Sequence, residues 1–403
     1  MHTRLADHID ATHLDASGRG ELEAILRACV HCGFCNATCP TYQLLGDELD
    51  GPRGRIYLIK QVLEGQTATR LTQTHLDRCL TCRACETTCP SGVQYGRLLD
   101  AGRDIVDRQA GRGVIDRLKR NVLVRVFPYR RRFELLLKMA RRLRPLLPPD
   151  LNSKIPHATP QGPWPRSKHA RKMGILPGCV QPALAPAIDL AAARVLDRLG
   201  IALLQVENGA CCGALPYHLS AQDRALALAR KNIDACVPYL EQGMEAIVST
   251  ASGCGVMAKD YGRLFKEDPV YAEKAARFSA AVKDIAEVLA GEDLSCFQAS
   301  GHSIAFQSPC TLQHGQRLKG LPEAILQKIG YRLTPVSDAH LCCGSAGVYS
   351  LLQPELSVKL RDGKLQALQA ARPDLIATAN VGCLTHLQAA SQQKVVHWIE
   401  LLH

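Results

Sequence analysis

No stretch of this 403-residue chain approaches the eighteen or so uninterrupted apolar residues that a membrane span requires, so any membrane contact is expected to be peripheral. The opening MHTRLADHIDATHLDASGRG is polar, interrupted by acids, and lacks the apolar segment of a secretory leader. The chain is therefore expected in a reducing cytosol, where its 18 cysteines do not form a disulfide framework. Cofactor fingerprints are missing too. There is no GxGxxG in a strand–turn–helix setting and no GxxxxGK[ST]; GRGVID at 111–116 lacks the third glycine. No nucleophile elbow is present. The chain thus has no flavin or nicotinamide fingerprint and shows no place of its own to take a hydride.

What is present begins with an ordinary globular composition, 46% hydrophobic and 22% charged, over a length that suits two or three domains. The net charge of +11 is concentrated in one place. Arg117 to Arg144 hold eleven Lys or Arg against a single acid, Glu134, and the rest of the chain is nearly neutral. That distribution argues against nucleic acid as a partner. The stripe predicts one or two amphipathic helices broken at Pro128. It reads as a docking surface for anionic lipid, with Val122, Val124, Leu135, Leu136 and Leu137 on the apolar side, or for acidic partner subunits; packing against the rest of the chain is the plain alternative. Seven prolines between 145 and 165 then mark a linker.

Eight cysteines fall in two runs. Cys29, Cys32, Cys35 and Cys39 precede Pro40, and Cys79, Cys82, Cys85 and Cys89 precede Pro90, so CxxCxxCxxxCP occurs twice. Two-residue gaps let three sulfurs from one turn of chain converge on a cubane, while the fourth Cys points away and, in two-cluster proteins, ligates the other cluster. This assigns Cys29, Cys32, Cys35 and Cys89 to one [4Fe–4S] cluster and Cys79, Cys82, Cys85 and Cys39 to a second. A zinc ribbon needs neither the third Cys at that pitch nor the Cys-Pro ending. Between the runs, Ile56, Leu58, Ile59, Val62 and Leu63 recur at helical spacing. Arg53 and Arg55 in DGPRGR read as covering a cluster or docking a partner, or equally as part of a solvated loop.

Beyond residue 170 the chain repeats itself. Cys179 stands 32 residues before Cys211 in CCG, and Cys310 stands 32 residues before Cys342, again in CCG. ILPGC answers AFQSPC, RVLDRLGIALLQV answers AILQKIGYRLTPV, and AIVSTASGC answers LIATANVGC. Each unit reads as a strand ending at a Cys, a helix, a second strand, the CCG turn, helices, and a last strand ending at Gly-Cys. Such alternation predicts two duplicated α/β units with parallel sheets. Cys179, Cys211, Cys212 and Cys254, and likewise Cys310, Cys342, Cys343 and Cys383, are candidate soft-metal ligands; the alternative is reduced thiols at tight turns. Cys236 and Cys296 have no counterpart in the repeat and read as small core residues. His218, His314 and His386 lie near the motifs; each reads first as a satisfied polar side chain, with His386, three residues after Cys383, the alternative ligand of its unit.

The doubled cluster motif, the Pro-rich joint and the two CCG units, in that order, resemble the iron–sulfur subunits of bacterial glycolate oxidase (glycolate dehydrogenase). The resemblance is carried by ILRACVHCGFCNATCPTYQLLGDELDGPRGRIYLIKQVLEG, HLDRCLTCRACETTCPSG, TASGCG, CTLQH and HLCCGSAG and spans essentially the whole chain. A wider group shares the architecture: anaerobic glycerol-3-phosphate dehydrogenase C subunits, lactate-utilisation iron–sulfur proteins and heterodisulfide reductase B-type subunits. The resemblance implies an α-helical ferredoxin-like domain over 1–110, a basic segment and linker over 111–170, and CCG units over 171–300 and 301–403. It also implies partner subunits that bind FAD and oxidise glycolate to glyoxylate, with electrons leaving through this chain toward a quinone or other membrane acceptor. The site would then be cytoplasmic, peripheral on the cytoplasmic face of the inner membrane. In one respect the sequence departs from the group. Where CCG units that hold an unusual cluster end in CxxC, this chain reads Cys254-Gly-Val-Met257 and Cys383-Leu-Thr-His386, one thiolate short in each unit.

Overall fold

The computed structural model describes residues 16–146, 155 and 162–403; the leader expectation and most of the proline-rich linker lie outside the described residues. The chain divides into two compact units. One is Met1–Asn121 with His340–Leu360, and the other is Val122–Ala339 with Arg361–His403.

The first unit holds no strand among its described residues; helices join the two cysteine runs, as the spacing predicts. Pro52 opens the Pro52–Leu63 helix at a position where its missing N–H costs nothing. That helix buries Ile56, Ile59, Val62 and Leu63 and leaves Leu58 half-exposed. The Tyr95–Ala110 helix packs on it closely: a Cβ on Gly102 would come within 2.7 Å of Ile59. A larger residue there would force the two helices apart and with them the runs they carry. Leu22, Ile25 and Leu26 from the Ala16–Ala28 helix complete the core with Leu98, Leu99, Ile105 and Val106.

The second unit contains two four-stranded, all-parallel sheets. The first joins β1 (Arg171–Ile175), β2 (Ile201–Gln205), β3 (Ala246–Ser249) and β4 (Val282–Asp284) in the order β2-β1-β3-β4. The second joins β5 (Ser303–Gln307), β6 (Arg332–Leu333), β7 (Leu375–Thr378) and β8 (Lys394–His397) in the order β6-β5-β7-β8. Identical order in both sheets is the structural form of the sequence repeat. The fourth strand of each is an addition to the three expected per unit. β4, reading VKD, is only three residues long and carries two charges, so it lacks the apolar run by which a buried strand is recognised. Apolar residues of both sheets, among them Met173, Ile175, Leu203, Ile304, Phe306 and Val396, share one core.

In the basic stripe, helices run over Val114–Val126 and Arg130–Arg142 with Pro128 between them. Val124 and Leu137 are buried, whereas Val122, Leu135 and Leu136 are exposed. Two of the five apolar residues expected to face a partner are thus already used in packing.

Candidate redox centre

Both cysteine runs bend by the same device. Around the second Cys of each, the flanking residues take left-handed backbone: His31 and Gly33 beside Cys32, and Thr81 and Arg83 beside Cys82. These reversals wrap the chain tightly, and glycine supplies one of them without strain. A short helical turn follows, Phe34–Thr38 in one run and Ala84–Thr88 in the other, and ends at the fourth Cys with extended backbone. Proline then forbids its continuation.

The eight sulfurs gather in two sets. Cys29, Cys32, Cys35 and Cys89 line one cavity with Arg53 beside them, and Cys39, Cys79, Cys82 and Cys85 line another with Arg55. Cys85 borders both. Each fourth cysteine therefore stands with the opposite run. Burial, then the neighbouring thiols, push Cys35 up to about 11 and Cys85 well above the ordinary thiol range. Such thiols stay protonated unless a cation sits among them, and a soft metal ion removes the proton outright. Eight thiols in two sets of four are the donor chemistry that iron–sulfur clusters use.

The surroundings of the two sets differ. In the first, Cys29 is buried but Cys32 is exposed and Cys35 and Cys89 are partly exposed, while Cys39, Cys79, Cys82 and Cys85 are all buried. Arg53 is half-exposed, paired with Glu48 at 2.7 Å and donating to the His31 carbonyl at 3.4 Å. Arg55, by contrast, is completely buried, donating to the His75 carbonyl at 2.7 Å, to Thr41 Oγ1 at 3.1 Å and to Asp50 Oδ1 at 3.3 Å. Thr41 Oγ1 lies 3.3 Å from Cys39 Sγ, with its proton directed to the Asp50 carbonyl at 2.8 Å. Tyr95 donates its phenol proton to Cys79 Sγ at 3.6 Å, and burial holds that phenol well above its ordinary range. Arg103 donates to the Leu76 and Cys79 carbonyls and to Thr81 Oγ1. Tyr95, Thr41, Asp50 and Arg103 carry no spacing signal, so nothing local in the sequence marks them as neighbours of a cluster.

In the first CCG unit, Cys179 follows β1, Cys211 and Cys212 form the turn after β2, and Cys254 lies on the Ser252–Lys259 helix after β3. Their thiols interact as a chain: Cys211 with Cys179 and Cys212, and Cys212 with Cys254. Cys212 accepts from both neighbours and from the Ala214 N–H, so it is the thiol held lowest, while Cys211 and Cys254 are raised. Met257 is buried in the same apolar cluster. In the second repeat, Cys310 caps the turn after β5 and Cys383 lies on the Val381–Gln388 helix, whereas Cys342 and Cys343 belong to the segment His340–Leu360. His314 and His386 are buried and His218 half-buried. Cys236 is a core residue, pushed up to about 12 by burial. Cys296 is not: it is exposed, in the loop before β5 where no apolar layer covers it.

Residues 25–93 match the family described as "4Fe-4S dicluster domain", and residues 173–259 and 304–388 each match "Cysteine-rich domain" (CCG). The chain accordingly carries two [4Fe–4S] clusters. It is 53% identical, over 95% of its length and 94% of the relative's, to the Glycolate oxidase iron-sulfur subunit of Escherichia coli (strain K12). A Probable glycolate oxidase iron-sulfur subunit of Bacillus subtilis (strain 168) is 30% identical over 94% of both chains. Lactate utilization protein A of an Exiguobacterium strain is 24% identical over 56% of this chain. Among solved structures, a hypothetical protein from Helicobacter pylori shares the fold at a TM-score of 0.50, with 11% identity, covering 96% of this chain and 72% of the other.

Proposed function

We propose, on the premise that this chain belongs to the family of glycolate oxidase iron–sulfur subunits, that it relays single electrons from flavin-binding partner subunits oxidising glycolate to glyoxylate toward a quinone or other membrane acceptor. The observation that carries this reading is the pair of four-thiol sets in one small helical unit. In it, Cys29, Cys32, Cys35 and Cys89 hold one cluster and Cys39, Cys79, Cys82 and Cys85 the other. When bound, the clusters supply one-electron storage. The protein's share is to supply the thiolates, hold them in two sets and exclude water from one of them. FAD belongs to the partners, because no flavin fingerprint exists here. A lactate-oxidising system is the second reading, disfavoured because its relatives match little more than half of this chain.

The test is metal analysis of the anaerobically prepared full chain, co-expressed with its flavin-binding subunits. About eight iron atoms per chain are expected from two cubanes, and Cys32→Ser is expected to abolish transfer to an acceptor while the flavin subunits still reduce with glycolate. Iron near zero with stoichiometric zinc would sink the reading. The four-thiol patch of the first CCG unit supports an added soft-metal site, seen in the same analysis as metal beyond those eight atoms that Cys212→Ser removes.

A peripheral position on the cytoplasmic face of the membrane is supported by the Arg130–Arg142 helix. Phe133 and Leu137 face inward, while Leu135, Leu136 and Met139 stay exposed beside Arg131, Arg132, Lys138 and Arg142. Apolar side chains bordered by cations suit an anionic bilayer surface. No helix among the described residues is long and apolar enough to cross a membrane. The full chain is expected to sediment with vesicles containing phosphatidylglycerol and to lose most of that binding when Arg130, Arg131 and Arg132 become Ser. Unchanged binding in the triple variant rejects the lipid reading.

A further inference from the structure

The two cluster positions are not electrostatically equivalent, and the difference lies in residues that no cysteine motif contains. Around Cys39 and Cys79 the buried Arg55 and Arg103 and the partly exposed Arg78 face the single buried carboxylate of Asp50, while Glu86 near Cys85 is paired with Arg83. Asp50 is shared: Oδ1 meets Arg55 at 3.3 Å and His75 Nδ1 at 3.1 Å, and Oδ2 meets Arg78 at 2.7 Å. One carboxylate thus answers two guanidinium groups, and Arg103 brings a third to the Cys79 carbonyl at 2.7 Å. The Tyr95 hydroxyl also reaches the sulfur of Cys79 itself at 3.6 Å, whereas the Thr81 backbone N–H on that sulfur at 3.4 Å has its counterpart at the other set in the His31 N–H on Cys29. At the other set, Arg53 is neutralised by Glu48, and both are open to solvent at 37% and 40%.

Adding an electron makes a thiolate-bound cluster more negative. Burial alone disfavours that added charge, whereas hydrogen bonds to the sulfurs and fixed positive charge favour it. Both favourable effects grow in a low-dielectric site, where the screening that blunts Arg53 is absent. With an excess of cations and a buried hydroxyl on one ligand, the favourable side prevails.

We infer that Tyr95 and Arg55 set the two centres apart, so that the buried centre on Cys39, Cys79, Cys82 and Cys85 takes the first electron. The exposed centre on Cys29, Cys32, Cys35 and Cys89 has the lower potential and exchanges electrons with the outside. The step is the addition of one electron, delivered through the exposed centre from a reduced flavin or, in vitro, from dithionite. No bond is made or broken, and Tyr95 keeps its proton. The inference rests on the cluster assignment proposed above.

The experiment is an EPR-monitored redox titration of the anaerobically prepared full chain with iron counted in each sample. Two midpoints are expected. Tyr95→Phe, which removes one hydroxyl from a ring that stays packed, should move the more positive midpoint downward and leave the other in place. It should also shift the iron–cysteine stretching bands in the resonance Raman spectrum. Cys32→Ser identifies the exposed centre and should alter the signal of the lower midpoint. Arg55→Lys keeps the charge with fewer donors and should give a smaller downward shift than an uncharged replacement, if the latter folds. About eight iron atoms with midpoints that Tyr95→Phe does not move, or movement of the lower one, overturns this inference alone. Cys32→Ser altering the higher midpoint overturns it too. Iron well below eight removes the cluster assignment and the inference together.

Discussion

Asn232 sits fully buried in the middle of the Gln222–Glu241 helix and uses both ends of its amide. Its Oδ1 accepts from the Ala210 N–H at 2.7 Å, and its Nδ2 donates to the Cys211 carbonyl at 3.0 Å and to the Tyr261 hydroxyl at 3.1 Å. Tyr261 in turn donates to the Cys212 carbonyl at 2.7 Å. One side chain therefore holds the backbone of the CCG turn from both sides and aims the two thiols. Gly213 ends the turn at a φ of 83°, where a Cβ would meet the Ala225 carbonyl at 2.9 Å. Asn232→Ala strands a buried donor and a buried acceptor, each costing about 1–3 kcal/mol. The expected outcome is a loss of stability of roughly 3 kcal/mol, read as a lower urea midpoint with unchanged m-value, and a change in the reactivity of Cys212 toward a thiol reagent. In the sequence Asn232 is one polar position in a twenty-residue helix. Its partners lie more than twenty residues away, so no local pattern could mark it.

At the scale of elements, the two sheets of the second unit are tied by a polar seam. Ser252 Oγ meets Thr311 Oγ1 at 2.7 Å, Gln316 donates to the Ser252 carbonyl and to Asp284 Oδ2, and His397 Nε2 reaches the Thr250 carbonyl at 2.9 Å. Burial drives the two titratable members in opposite senses of stability. His397 is lowered to about 4, so the unfolded chain binds its proton first and stability is lost as pH falls from about 6.5 toward 4. Asp284 is raised to about 6, so the folded chain holds its proton and stability is lost as pH rises from about 4 toward 6. Between those limits the two nearly cancel. Asp284→Asn keeps an acceptor for the Ala286 N–H and removes one side of the balance. Relative to the parent chain, the variant is expected to gain stability as pH rises from 4 to 6, by up to about 3 kcal/mol. Denaturant unfolding at a series of pH values checks this; a pH-independent difference would show that Asp284 is already ionised in the folded state.

The parallel sheets themselves were legible because the repeat announces them: ILPGC is answered by AFQSPC and AIVSTASGC by LIATANVGC, each a short apolar run ending at a Cys. What did not show was β4, too short and too charged to stand out from a loop, and the exposure of Cys296, which depends on what covers it rather than on its own chemistry. The amphipathic helices broken at Pro128 were legible for the same local reason. Which of their leucines stay open to solvent was not, because a helical period shows that a face is apolar without showing which of two faces is covered.

At the scale of the whole molecule, the chain is not partitioned where the repeats begin and end. The stretch His340–Leu360, with the second CCG turn, belongs to the compact unit that holds the cluster-binding runs. Tyr349 within it donates to the Arg78 carbonyl at 3.0 Å, next to Cys79. A segment from the far end of the chain thus helps to close the surroundings of the buried centre, and repeat-based boundaries have no means of registering such an excursion. By itself, the sequence determined that the chain carries a doubled four-cysteine motif for two clusters, that an α/β unit is duplicated, and that no flavin fingerprint is present. These follow from spacings of two to four residues and from residue identity, which are local properties. Only the tertiary structure decided that the doubled motif makes two unlike centres, one open at Cys32 and one enclosed by Arg55, Tyr95 and Arg103. That inequality comes from charges and hydroxyls brought together across long stretches of chain, where burial and not spacing sets how strongly they act.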